Sequence, residues 1–180
     1  MYQLDWKVIP PDPELAATGR CDDVGVPWTM GVRTTKTVKQ PVRCDLHPKH
    51  GRKMRDVFLT GVPLFSDRLV DAIRSTGVDN FECYAAEVKD LDGTVHADYK
   101  AVNIVGAVRC ANLEKSESFS APGAISMHFS HLVLDREKVR DHEFFRLAEN
   151  LLIILVSDRI AQAITKIEPI GLSLTPIDMA

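Results

Sequence analysis

The chain has no long apolar run. Its longest purely aliphatic stretch, Leu151 to Val156, holds six residues, where a helix needs about 20 to cross a bilayer. No basic region leads into an apolar core after Met1-Tyr2-Gln3-Leu4-Asp5-Trp6, so neither a secretory signal nor a membrane partner is expected. The phosphate-cradling patterns GxxxxGK[ST] and GxGxxG are missing, and so is the GxSxG elbow of serine hydrolases. The four cysteines, Cys21, Cys44, Cys83 and Cys110, form no CxxC pair. Without an export signal they read as reduced thiols in a cytoplasmic protein. A net charge of −3 favours no partner by itself.

What the chain does have is a short stretch used twice. Leu64-Phe65-Ser66-Asp67-Arg68-Leu69-Val70-Asp71-Ala72-Ile73 returns as Leu155-Val156-Ser157-Asp158-Arg159-Ile160-Ala161-Gln162-Ala163-Ile164, with six of ten positions identical. In each copy an apolar pair ends at a serine whose hydroxyl suits a helix N-cap, and an aspartate follows where the helix dipole favours negative charge. Leu69, Ala72 and Ile73, like Ile160, Ala163 and Ile164, then fall on one helical face. Ser66 and Ser157 are therefore assigned as caps, and the two stretches as capped helices rather than polar active sites.

With 45% hydrophobic and 26% charged residues over 180 positions, the chain fits one domain burying roughly 70% of its unfolded surface. Residues 1–55 read as an irregular lead-in, with one short strand from Tyr2 to Ile9. Pro10, Pro11, Pro13, Gly19, Gly25, Pro27 and Gly31 break regular structure after it, and Trp28 is expected to anchor it on the core. Residues 33–55 carry eight basic side chains (Arg33, Lys36, Lys39, Arg43, Lys49, Arg52, Lys53, Arg55) against Asp45 alone. A basic stripe can track phosphates, but this one has no aromatic residue on which bases could stack. It reads as a solvated loop that meets an acidic protein, with no nucleic acid expected.

Residues 56–180 read as the core. Val57-Phe58-Leu59 enters it, the first helix runs to about Thr76, and Gly77 sits where a left-handed stop belongs. Phe81 to Val88 and Tyr99 to Val105 form a hairpin about Asp92-Gly93, with Gly106 as a bulge before Ala107 to Cys110. Residues 112–123 read as loop, Ile125 to Leu134 as an alternating strand, and Asp135 to Val139 as a short helix. His142 to Leu147 and Leu151 to Val156 are extended, the second helix covers Asp158 to Lys166, and Gly171 to Ile177 closes the chain with Leu172 and Leu174 inward. The class is α+β, with a mixed or mainly antiparallel sheet carrying the two serine-capped helices.

Two constellations suggest chemistry. Cys44, His47 and His50 offer three soft ligands within seven residues, but zinc wants about four, and the surrounding cations oppose it. Ser126, His128, Ser130 and His131 suggest a nucleophile and base, though without an elbow they read as the polar face of a strand. A small hydrolase or metal-dependent enzyme built on His128 and His131, or on His47 and His50, is the alternative function. No catalytic, metal or cofactor site is assigned. Asp90-Leu91-Asp92-Gly93 is a turn, lacking the later ligands of a calcium loop.

The ordered pieces Trp28-Thr29-Met30-Gly31, Pro63-Leu64-Phe65-Ser66-Asp67-Arg68-Leu69 and Phe81-Glu82-Cys83-Tyr84 form a pattern. Tyr99 to Val108, Leu132-Val133-Leu134-Asp135, Phe144-Phe145-Arg146-Leu147, Val156-Ser157-Asp158-Arg159 and Gly171-Leu172 continue it. This order resembles the bacterial polymorphic-toxin immunity family numbered eleven, over roughly residues 28 to 178. Relatives often carry a proline where this chain has Ala85. The resemblance implies a cytoplasmic, non-catalytic protein that binds and silences a toxin domain. Trp28, Arg33, Lys36, Lys39 and Arg43 are the candidate contacts with that partner.

Overall fold

The computed structural model describes residues 1–6, 14–120 and 126–180. Pro10, Pro11, Pro13 and the end of the first expected strand lie outside the described residues, as do Pro122-Gly123 and Ile125. In chain order the elements begin with β1 (Tyr2–Trp6), β2 (Thr18–Cys21), β3 (Val42–Leu46), β4 (Val57–Phe58), β5 (Leu64–Ser66) and α1 (Asp67–Arg74). Next come β6 (Phe81–Lys89), β7 (Val95–Ile104), β8 (Ala107–Val108), β9 (Glu117–Phe119), β10 (His128–His131), β11 (Val133–Leu134) and α2 (Arg136–Val139). The chain ends with β12 (Phe144–Leu147), β13 (Asn150–Val156), α3 (Asp158–Lys166), β14 (Leu172–Pro176) and β15 (Asp178–Met179).

Two sheets carry the fold. One holds six strands in the order β2-β3-β6-β7-β5-β4, the other five in the order β14-β1-β13-β12-β8. Most neighbours are antiparallel, with parallel pairs at β3–β6 and β12–β8, so the mixed α+β class holds. The runs β4-β5-β7-β6 and β12-β13-β1-β14 follow the same pattern of antiparallel neighbours. A helix leaves the second strand of each run. In the second run β1, from the far end of the chain, stands where β7 stands in the first.

The helices meet in the middle. Leu69, Val70 and Ile73 of α1 share one core with Ile160, Ala161 and Ile164 of α3, and that core takes in Phe65, Val102 and Ile104 from the first sheet and Leu4, Ile154 and Val156 from the second. Phe81 and Phe144 meet edge-on across it at 5.6 Å. Ala161, at the position of Val70 in α1, is buried in this core, whereas Ala163, expected there, is only half-buried. Each sheet also has a second covered face. Trp28, Val26 and Ala16 pack with Val42, Val88 and Tyr99, while Cys110, Leu134 and Val139 pack with Phe145, Leu147 and Leu155.

Four expectations change. The lead-in is not irregular throughout: β3 runs parallel to β6, with Val42, Cys44 and Leu46 buried in alternation. The proline and basic content hid a strand whose apolar residues are spaced by two. Cys21 and Cys44 are not free thiols but a disulfide, since β2 and β3 place them directly opposite one another; Cys83 and Cys110 remain free. Gly106 is not a bulge within one strand. Its φ of 123° lets the chain cross from β7 in the six-stranded sheet to β8 in the other. Finally, the loop over 112–123 contains β9, which pairs with β10 as a separate two-stranded ribbon.

Candidate functional site

The Ser-Asp-Arg corners are built alike. The Ser66 hydroxyl accepts from the Leu69 amide at 3.3 Å and the Ser157 hydroxyl from the Ile160 amide at 3.4 Å. Each serine sits opposite an acid that precedes the neighbouring strand. Ser66 donates its amide to the Asp56 carbonyl at 2.9 Å, and Ser157 to the Glu143 carbonyl at 2.7 Å. Each acid's carboxylate then takes the arginine of the motif: Asp56 accepts from Arg68, and Glu143 from Arg159. Each aspartate also meets a cation, Asp67 with Lys100 and Asp158 with the amino group of Met1.

The corners differ in burial. Asp56 is almost fully buried, and its carboxylate also accepts from the Ser66 hydroxyl and from the Ile170 amide at 2.6 Å. Arg68 reaches further, donating to the Ile167 carbonyl that ends α3 at 3.0 Å. Burial alone would raise the Asp56 carboxyl, but Arg68, Ser66 and Ile170 together outweigh it and hold it below its usual range. Glu143 and Arg159 are solvated, with side chains 38% and 58% exposed. These polar groups largely bond one another, and the corners tie the helices to the sheets.

The enzyme candidates do not assemble. Cys44 is bonded to Cys21, which removes the thiolate a metal would need. His47 and His50 stack edge-on at 4.9 Å, and His47 accepts from the Lys49 amide. Among the described residues, no three His, Cys, Asp or Glu side chains are grouped to hold a metal ion. Ser130 donates to Glu117 rather than to an imidazole, and His131 lies 3.6 Å from Asp178 on the surface. His128 is exposed and Ser126 half-buried. In the Asp90–Gly93 turn, Arg52 binds both Asp90 and Asp92.

The partner-binding candidates separate into two kinds. Trp28 is buried at 9% exposure, its ring 5.9 Å edge-on to Tyr84. Its backbone is more informative. The Arg146 guanidinium, itself 2% exposed, donates to the Trp28 carbonyl at 3.0 Å and to the Leu151 carbonyl at 2.6 Å. Its Nε finds no acceptor, and burial pulls its pKa down to about 10, leaving it charged at neutral pH. Arg33, Lys36, Lys39 and Arg43 are exposed. Arg33 lies 3.7 Å from Glu82 and Arg43 3.5 Å from Glu87, while Lys36 and Lys39 line a pocket of about 540 Å³ with Asp22 and Asp23.

Sequence reasoning missed Asp56, Glu143 and Arg146. A signal existed for the acids: each immediately precedes an apolar pair, Val57-Phe58 or Phe144-Phe145, on the strand beside a Ser-Asp-Arg stretch. Arg146 stands within the Phe144-Phe145-Arg146-Leu147 piece of the family-like pattern, but its role shows only in the folded chain, where it is buried and bonded to two distant backbone segments.

A sequence model of the immunity protein family Imm11 matches residues 5–179. No curated protein matches the chain.

Proposed function

Because this chain belongs to the Imm11 immunity protein family, we propose that it protects by binding one toxin domain and occluding it, without catalysis of its own. The family match over residues 5–179 carries this reading. The partner is a protein, and Arg33, Lys36, Lys39 and Arg43 are its candidate contacts, presented on the surface beside the anchored Trp28 turn. Among the described residues no helix is long and apolar enough to cross a membrane. On the family reading the protein acts in the cytoplasm. Immunity at low cellular concentration calls for a dissociation constant of about 1 nM or below, equivalent to roughly 12 kcal/mol. Co-expression with the toxin encoded beside its gene tests the reading. Cells survive only with this protein, and the purified pair associates at that affinity; equal killing with and without it, and no association, would refute the proposal.

The architecture belongs to the same proposal. We read the chain as a single domain made of two copies of one unit, each a hairpin, a serine-capped helix and a returning strand, with β1 completing the second copy. The matching strand orders and the twin acid–serine–arginine corners support it. Ser157→Ala should cost about 1 kcal/mol, the worth of a cap. Ser66→Ala should cost about 2 kcal/mol, because Ser66 also donates to the buried Asp56 carboxylate. Urea denaturation of both variants measures the difference, and equal losses would remove the distinction between the corners.

A further inference from the structure

Large apolar side chains stand in solvent on two segments far apart in sequence, at Met30 and Val32 on one and at Leu152 on the other, and Arg146 joins the backbones of the two segments. Met30 is 53% exposed, Val32 51% and Leu152 71%. The Arg146 guanidinium holds the carbonyls of Trp28, two residues before Met30, and of Leu151, next to Leu152. The fit behind the turn is close. The Gly106 amide donates to the Gly31 carbonyl at 2.8 Å. A Cβ on Gly31 would stand 3.0 Å from that of Ala107, so the turn cannot lift without breaking these contacts. Val32 is tied as well, its carbonyl accepting from the Asn103 side-chain Nδ2 at 2.9 Å. The result is a preorganised apolar surface at the seam between the sheets, which loses little conformational entropy when a partner covers it.

The chain leaves this surface directly into its basic segment. Arg33 follows Val32 with a side chain 63% exposed, and Lys36 and Lys39 stand exposed beyond it. An apolar centre with a cationic border is the anatomy of a specific protein interface. Glu82, Asp22 and Asp23 stand beside these cations, and a partner bearing carboxylates meets the exposed basic groups among them.

We propose that Met30, Val32 and Leu152 form the centre of the toxin-docking surface, with Arg33, Lys36 and Lys39 as its rim. The toxin domain accordingly presents an apolar patch edged by carboxylates. This rests on the toxin-binding reading above and adds where, and to what chemistry, binding occurs. Trp28 then acts from behind, as the buried anchor of the turn rather than as a contact.

The test uses the full chain and a catalytically inactive form of the toxin domain encoded beside its gene. Met30→Asp and Leu152→Asp should each weaken binding by at least about 30-fold, the threshold of an interface hot spot, with the fold retained and melting temperatures little changed, because both side chains are more than half exposed. Leu91→Asp is the control. Leu91 is 52% exposed at the turn beyond the other end of β6, about 27 Å along the strand, and should leave affinity unchanged. Arg33→Glu should slow association and reduce its salt dependence. Tight binding of the wild type with both aspartate variants within about threefold of it would overturn this surface and leave toxin binding standing, as would a loss confined to Leu91→Asp. No binding by the wild type would overturn both.

Discussion

Replacing Asp56 by alanine lowers the folding free energy by about 3 kcal/mol, chiefly because it strips buried donors of their acceptor, the Arg68 side chain itself being 48% exposed. Asp56 joins three parts of the chain. Its carboxylate accepts from Ser66 and Arg68 at the start of α1 and from the Ile170 amide after α3, while its own amide donates to the Ile170 carbonyl at 2.9 Å. Alanine leaves the buried Ser66 hydroxyl and Ile170 amide without these partners. The matching variant Glu143→Ala should cost less than about 1 kcal/mol, since its pair with Arg159 is solvated. The measurement is urea denaturation, and a loss below about 1 kcal/mol for Asp56→Ala would show that the carboxylate does not tie the corner.

The same group sets an acid limb. Arg68, Ser66 and Ile170 hold the folded Asp56 carboxyl below the usual carboxylate range despite its burial, so its contribution is present above the unfolded value and is lost as pH falls through the lowered folded value. Asp56→Asn removes this part of the pH dependence. Its stability profile between pH 5 and about pH 2 should be flatter than that of the wild type. Identical profiles would exclude Asp56 as a source of the limb.

Reduction of the Cys21–Cys44 disulfide is expected to cost about 3 kcal/mol, because the bond closes a loop across a sequence separation of 23. The loss should be local. β2 is the outer strand of its sheet and β3 joins it to β6, so hydrogen exchange should show β2 and β3 losing protection first, while α1, α3, β5 and β7 keep theirs. The double variant Cys21→Ala/Cys44→Ala should match the reduced protein. Unchanged denaturation midpoints with and without reductant would refute the prediction.

Much of the core was legible because its signals are local. The apolar spacing after Ser66 and Ser157, the left-handed stop at Gly77 and the turn at Asp92-Gly93 depend on neighbours within a few residues. β6, β7 and β13 also followed, since each is long and apolar enough to reveal a strand. β3 did not, because charged residues at Arg43 and Asp45 alternate with Val42, Cys44 and Leu46 inside a segment whose overall composition is basic. The candidate contacts were legible only as charge. Exposure separated Arg33, Lys36, Lys39 and Arg43 from the buried Trp28, and exposure is a property of the folded chain.

The sequence by itself determined the helices, their serine caps, the α+β class and the likeness to an immunity family. Those features arise from hydrogen bonds between residues three or four apart and from the period of apolar side chains. Only the tertiary structure decided that β1 completes the second run of strands, that Cys21 faces Cys44, that Asp56 and Glu143 receive the two arginines, and that Arg146 draws Trp28 and Leu151 together. The residues brought together in this way stand between 12 and 174 positions apart. Such contacts leave no periodic trace in the chain, because they are selected by which faces remain to be buried once the local elements exist.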